Sequence, residues 1–289
     1  MTSERLVCIV VVAWNNADDT LHCLQSLAPL TGDSVSVIVV DNGSTDGSDK
    51  VVANAFPAVT MIYLPVNEGY AGGCNAGFHR AAAEGAAYVV FLNNDTVVDP
   101  GFLDPLLNVL DEHCEVKATV PQILYAGYPD RVWYDGGALD PSRGIARHIG
   151  IRKKLAGSGA VGYRQTGYAT GCCLVMRCMD FQRIGGFDTA AGMYGEDLDL
   201  SMRVRQEGGI LAVVPASRIW HRVSASSGGE LRLSKLVARQ KALVQFMRRW
   251  GGVGGVIRYL LRLPFDVACS AVSIITFRFM AAARRRRAT

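Results

Sequence analysis

Near the amino terminus the residues Leu6-Val-Cys-Ile-Val-Val-Val12 are apolar without a break, and similar runs recur at Val35 to Val40 and Ala87 to Leu92. These runs are far too short to cross a bilayer, and they lack the alternation of a strand with one wet face. They fit strands covered on both faces, which are chiefly those of parallel sheets, where a helix must carry the chain back between successive strands. The intervals supply such helices. Asp18 or Asp19 can cap a helix that runs through Leu27, with Leu21, Leu24 and Leu27 at helical spacing. Residues 47 to 55 form a second helix ended by Pro57, Gly72 to Glu84 an alanine-rich third, and Phe102 to His113 a fourth, with another strand at Val59 to Leu64. The expected fold is α/β, an open, mostly parallel central sheet with helices on both faces. Such sheets bind ligands at the carboxyl ends of their strands, and Asn15, Asp41, Asn67 and Asp95 each follow a strand, so they should share one crevice.

Beyond about residue 115 the rhythm changes. Val116 to Leu124 reads as a strand, 125 to 165 as irregular strands and a loop, Tyr168 to Arg177 as a strand around a Thr-Gly step, Asp180 to Ile184 and Asp197 to Glu207 as helices, and Ile210 to Val214 as a strand. From Glu230 the chain is expected to be helical, with the glycine cluster Gly251 to Gly255 as a hinge between two helices. The implied organisation is a domain over 1–228, divided into halves at 115, and a helical extension over 229–289. A net charge of +4 conceals an uneven distribution, because the basic residues collect at the end, in Arg248, Arg249, Arg258, Arg262 and the run Arg284 to Arg287. The extension is apolar but interrupted by Arg258, Arg262, Asp266 and Arg278, and its clean stretch from Val267 to Phe277 is too short to span a bilayer. It reads either as an interfacial amphipathic helix or as a helix packed on the body or on a second copy in a homodimer. The eight cysteines form no C-x-x-C pair, and Arg5 leads directly into a strand without a leader-like segment. Reduced, mostly buried thiols in the cytoplasm are expected.

Three acidic motifs carry candidate chemistry. Asp41-Asn-Gly-Ser-Thr-Asp-Gly47 puts a carboxylate where it can accept from a base N–H or a ribose hydroxyl, although the same letters make a capped turn. Asn93-Asn94-Asp95 puts a carboxylate at the sheet edge, suited either to a hard divalent cation bridging two phosphates or to a plain Asx turn. Glu196-Asp197-Leu-Asp199 opens a helix whose dipole favours the ionised form, fit for taking a proton from a hydroxyl, and Asp199 can pair with Arg203 one turn on. His221 is a metal-ligand candidate only if the fold brings it to Asp95.

In order, the chain reads Asp41-Asn-Gly-Ser-Thr-Asp-Gly, Asn67-Glu-Gly-Tyr-Ala-Gly-Gly-Cys-Asn75, Asn93-Asn-Asp95, Thr170-Gly171, Ile184-Gly-Gly-Phe-Asp188, Glu196-Asp-Leu-Asp199 and His221. This set resembles a family 2 glycosyltransferase of the GT-A fold, near the bacterial rhamnosyltransferase-like branch, over residues 5 to 225. The resemblance implies that Asp41, with Asn15 and Asn67, holds the nucleotide base, and that Gly69, Asn75 and Asn94 line the donor. It implies Asp95 and His221 as metal ligands for Mg²⁺ or Mn²⁺, Asp197 as the catalytic base, and Glu196 and Trp220 on the acceptor side. The reaction implied is transfer with inversion from a nucleotide-sugar donor, dTDP-rhamnose favoured, to a saccharide or polyprenyl-diphosphate-linked acceptor in cell-surface polysaccharide synthesis at the inner face of the cell membrane. Two departures stand out. Asn93 occupies the first D-x-D position, which weakens one metal ligand. Cys74 stands where many members carry Arg, with Arg80 as a candidate replacement.

Other readings lack their signatures. Ala13-Trp-Asn-Asn16 replaces the glycine-rich dinucleotide turn after the first strand. The arginine-rich end follows an apolar helix with little aromatic interleaving, which favours anionic lipid over nucleic acid. A non-catalytic saccharide-binding protein on the same fold would have no need for both Asp95 and Asp197.

Overall fold

The computed structural model of the chain describes residues 5–155, 162–223 and 233–288. The expected boundary between residues 228 and 229 lies outside these residues, and the side chains of Arg284 to Arg287 also lie outside the description. The strands are β1 (Val7–Ala13), β2 (Val35–Asp41), β3 (Thr60–Tyr63), β4 (Tyr88–Asn93), β5 (Thr96–Val98), β6 (Val116–Tyr125), β7 (Tyr128–Tyr134), β8 (Gly137–Asp140), β9 (Ile145–His148), β10 (Arg164–Gln165), β11 (Cys173–Arg177) and β12 (Ile210–His221). The helices are α1 (Ala17–Leu27), α2 (Ser48–Ala55), α3 (Gly69–Ala83), α4 (Leu103–Glu112), α5 (Cys178–Arg183), α6 (Glu196–Gln206) and α7 (Leu233–Ala288).

The apolar runs do form the expected parallel core. β3, β2, β1 and β4 lie side by side, and every residue of β1 is buried. Their register is what builds the crevice. Ala13 pairs with Asp41, Asp41 with Tyr63 and Val12 with Asn93, so the polar residues after each strand emerge at one level. The remainder of the sheet corrects the expectation of mostly parallel pairing. β11 is inserted antiparallel between β4 and β6, β6 and β12 pair in parallel, and β5, β7 and β10 add antiparallel edges. The sheet is mixed, and β8 and β9 form a separate hairpin.

Two boundaries differ for identifiable reasons. Only Cys173–Arg177 of the expected strand from Tyr168 is strand, because the Ala169 N–H donates to Ser201 Oγ at 3.0 Å and the Gly171 N–H to Asp197 Oδ2 at 3.1 Å instead of to a neighbouring strand. In the other direction, β12 continues through Pro215, absorbing it in a register shift between Val214 and Arg218 and so reaching His221. α3 begins at Gly69 rather than Gly72, and its glycines give it closeness to the sheet. A Cβ at Gly73 would lie 2.7 Å from Val12 Cγ1, and one at Gly77 only 2.2 Å from Val10 Cγ1.

α7 is broken at Gly252, whose φ of 62° and ψ of −164° are not helical, so the glycine cluster is a hinge as expected. It is also a contact. Added Cβ atoms at Gly251 and Gly255 would stand 2.2 and 2.5 Å from the Pro141 carbonyl oxygen, so glycine alone lets the helix approach the turn after β8. All eight cysteines are free thiols, and burial covers six of them, leaving Cys114 and Cys269 exposed.

Candidate active site

The β1 and β2 turns are stitched together before any ligand arrives. Asn15 and Asn16 both take left-handed φ, 55° and 57°, which asparagine tolerates better than most residues. This turns the Asn15 N–H to Ser44 Oγ at 2.8 Å and the Asn16 N–H to Asp46 Oδ2 at 2.8 Å, while Asn15 Oδ1 accepts from the Thr45 N–H at 2.9 Å. Asp41 is buried, and its Oδ2 accepts from the Ser44 N–H at 3.1 Å. Asn16, not Asp18 or Asp19, stands at the cap of α1. Asp19 lies in the first turn, accepting from Asn16 Nδ2 at 2.7 Å with Arg222 Nη1 3.2 Å away.

Asn42 is a residue that reading the sequence missed. Its side chain reaches the loop ahead of α3, donating to Gly69 O at 2.9 Å and Asn67 Oδ1 at 3.3 Å and accepting from the Glu68 N–H at 2.9 Å. Asn67 Oδ1 also accepts from the Gly69 N–H at 2.9 Å. Asn67 is exposed at this edge, whereas the Asn75 amide is occupied at both ends by the Phe187 backbone, at 2.8 and 3.0 Å. Asn75 therefore ties α3 to the loop preceding α6. Arg80 does not replace an arginine at position 74, since it sits in the last turn of α3 and pairs with Glu84 at 2.6 Å.

After β4, Asn94 Nδ2 donates to Thr20 Oγ1 at 3.0 Å, anchoring the turn to α1. Asp95 is buried, and its Oδ1 lies 3.0 Å from His221 Nε2, so the condition set for His221 is met. The Arg222 N–H donates to Asp95 O at 2.8 Å, closing the end of β12 over this turn. Trp133 from β7 meets the His221 ring edge to face at 4.5 Å, a neighbour no local pattern announces. His221 Nδ1 and Trp220 Nε1 are buried without a hydrogen-bond partner among the described residues. No group of three or more His, Cys, Asp or Glu side chains converges among the described residues. The Asp95 carboxylate fits a cation of the Mg²⁺ class, which takes one or two protein carboxylates and completes its shell with phosphate and water, and the His221 imidazole beside it is a nitrogen donor better suited to a softer ion.

Asp197 stands in the first turn of α6, its Oδ1 held by the Leu198 N–H at 2.8 Å and its Oδ2 by the Gly171 N–H at 3.1 Å. Desolvation nevertheless raises it above the usual carboxylate range. The adjoining Cys172 carbonyl accepts from the Asn93 N–H at 2.9 Å, so the segment Gly171-Cys172 links the Asp197 carboxylate to the end of β4. The Tyr70 hydroxyl donates to Gly171 O at 2.6 Å and fixes the same segment from α3. Glu196 is buried beside Asp197, accepts from the Gly195 N–H at 2.9 Å, and is raised by burial and then by its neighbour's charge. Tyr194, just before it, holds a φ of 76°, rare for an aromatic residue. Asp199 pairs with Arg203 at 2.8 Å as expected, and it also accepts from Trp250 Nε1 at 3.0 Å and lies 3.3 Å from Arg249 Nη1. Arg249 reaches Asp188 as well. The first half of α7 thus holds the helix that carries Asp197.

The profile described as Glycosyl transferase family 2 matches residues 8–185. The N-acetylglucosaminyl-diphospho-decaprenol L-rhamnosyltransferase of Mycobacterium tuberculosis is 29% identical over 275 residues, covering 88% of each chain. Among solved structures, GalNAc-T7 with UDP, GalNAc and Mn²⁺ superposes with a TM-score of 0.63 at 19% identity, covering 84% of this chain and 48% of that one. The mannosyltransferase PcManGT from Pyrobaculum calidifontis, in complex with GDP-Man and Mn²⁺, gives 0.60 at 16% identity over 99% of this chain and 80% of that one. At these identities the structural likeness establishes the GT-A fold alone.

Proposed function

Because this chain belongs to glycosyl transferase family 2, we propose that it is an inverting, metal-dependent transferase that moves a sugar, with rhamnose from dTDP-rhamnose as the favoured donor, onto a polyprenyl-diphosphate-linked saccharide at the cytoplasmic membrane surface. The observation that carries the proposal is the Asp197 carboxylate, held by two backbone N–H groups and joined through Gly171-Cys172 to the end of β4, just beyond which Asp95 meets His221 from β12. The similarity to a mycobacterial L-rhamnosyltransferase supports the choice of sugar and of lipid-linked acceptor.

In this reading Asp41 accepts the N3–H of a pyrimidine base, with Asn15 and Asn67 beside it and Gly69, Asn75 and Asn94 contributing to the shape of the donor crevice. Asp95 and His221 would hold a Mg²⁺ or Mn²⁺, which would supply positive charge to the leaving diphosphate when bound. Asp197 takes the proton of the acceptor hydroxyl as that oxygen attacks the anomeric carbon, and the bond from that carbon to the nucleoside diphosphate breaks on the opposite face. Glu196 and Trp220 belong to the acceptor side. Asn93 brings an amide where a carboxylate would bind the cation more strongly, so weaker metal binding is expected than in relatives with both acids.

Asp197→Asn tests the assignment because it keeps the shape and removes the base. Transfer, followed as nucleoside diphosphate released from a panel of donors with and without divalent metal, should fall about 10³-fold while donor binding is retained. Undiminished turnover would remove Asp197 from its role.

A further inference from the structure

Beyond the kink at Gly252, α7 presents two opposite sides. On one, Gly255 and Tyr259 are buried and Leu263 packs against the core. Arg258 Nη1 donates to Ser142 O at 2.9 Å, and the Tyr259 hydroxyl donates to Gln240. Far along the helix Phe277 returns to the same body, its ring 4.7 Å from Tyr128 and 5.3 Å from Tyr125. At 3.6 residues per turn, positions 255, 259, 263 and 277 fall in one sector of roughly 80°. Val253, Ile257, Leu261, Phe265, Val267, Val272 and Ile275 are all more than half exposed, and they occupy a sector of roughly 160° on the opposite side.

Length and composition would let this helix cross a membrane. The segment Leu236–Phe277 includes an 18-residue stretch of mean hydropathy 1.6, none of it buried. Its attachments forbid that course. From Val253 to Phe277 the helix extends about 36 Å, and both ends are fastened to the catalytic body, whereas a crossing helix would carry one of them to the far side. A helix pinned at both ends to one body, with apolar side chains facing away from it, can put them into lipid only by lying flat.

We propose that the second half of α7 lies in the plane of an anionic lipid surface, with the Leu261–Phe265 side immersed and the catalytic body seated on its back. Charge selects the occupant. Arg262 is exposed on the flank between the two sectors, and Arg278 and the run Arg284 to Arg287 follow it in the sequence, the arrangement that favours anionic headgroups over a second protein chain. The direction of the helix gives this surface its use. Tyr125, against which Phe277 packs, is the register partner of His221, and the Ala126 N–H donates to His221 O at 3.0 Å. The immersed stripe therefore ends beside the Asp95–His221 pair, so an acceptor whose lipid tail lies in the same surface presents its head at the level of the site. Only that last consequence rests on the transferase reading; the lipid contact does not.

The test uses the full chain and no sugar donor, so it stands or falls apart from transfer. Sedimentation with vesicles of phosphatidylcholine and phosphatidylglycerol is compared for the parent and for Leu261→Glu with Phe265→Glu. The double variant should bind at least tenfold more weakly with an unchanged melting temperature, and vesicles of phosphatidylcholine alone should bind the parent more weakly too. Orientation is read from Cys269, exposed and at the border of the apolar sector, in a Cys114→Ser background. Its labelling by a membrane-impermeant maleimide should stay within about threefold of the free protein's rate when vesicles are bound. Equal binding by the double variant, or protection of Cys269, overturns the proposal. So does a self-associating chain that ignores vesicles and becomes monomeric in the double variant, an outcome that assigns the face to a second copy.

Discussion

Adjacent acids in one helical turn ordinarily repel, and Glu196 and Asp197 do so in a desolvated place. Both are raised above the ordinary carboxylate range, Glu196 by burial first and by Asp197 second. In its proposed role as base Asp197 must be deprotonated, so the acid limb of the pH profile should lie above that of a solvent-exposed aspartate. Stability runs the other way. A carboxyl group whose folded pKa is raised favours the fold while protonated, and that contribution is lost as pH rises from the unfolded value through the folded one. Glu196→Gln removes the ionisation while keeping the shape. The variant should match the parent near pH 4 and become the more stable of the two above pH 8, by roughly 1 kcal/mol or more, in melts across that range. The Asp197 motif was legible because acids at a helix start are conspicuous. Asn42 was not, since an asparagine after an aspartate in a glycine turn reads as a turn former, and the groups it binds arrive only at Asn67 to Gly69.

Among the elements, the buried parallel strands could be read almost to the residue, because burial on both faces leaves a continuous apolar run. β12 could not. Its chain passes Pro215, which reads as a terminus, and only the bulge there lets six further residues carry His221 to Asp95. The expected strand at Tyr168 failed for the opposite reason, since its backbone donors serve Ser201 and Asp197. The glycines of α7 were read as freedom, but at Gly255 they provide proximity. Gly255→Leu forces a side chain against the Pro141 carbonyl, which a Cβ would already approach to 2.5 Å. Helix propensity favours leucine by less than about 1 kcal/mol, whereas overpacking against backbone costs about 1–3 kcal/mol. α7 should lift from the turn after β8, and limited proteolysis should cut first on either side of residue 255, with a lowered melting temperature.

At the scale of the whole molecule, the parts proposed to hold donor and acceptor are joined through a few fixed contacts, among them Asn75 with Phe187, Tyr70 with Gly171 and Asn93 with Cys172. A ligand gripped at Asp41 and at Asp95 therefore spans most of the parallel sheet edge. Nucleoside diphosphate with Mn²⁺ should raise the melting temperature by an amount that grows with concentration, worth about 2.7 kcal/mol at a hundred times Kd. Nucleoside diphosphate with a chelator should give much less, and an equal shift in both would remove the cation from the site. No local pattern could foretell that Arg249 and Trp250 finish the surroundings of Asp199. Their meeting depends on the long return of α7, which no periodicity records. It has a consequence in time. A ribosome delivers Asp199, with Arg203 close behind, well before it delivers the other two donors, so α6 waits for them half-braced. The stretch that supplies them continues into the helix proposed to meet the lipid, so the bracing of Asp199 and that contact are delivered by one run of chain.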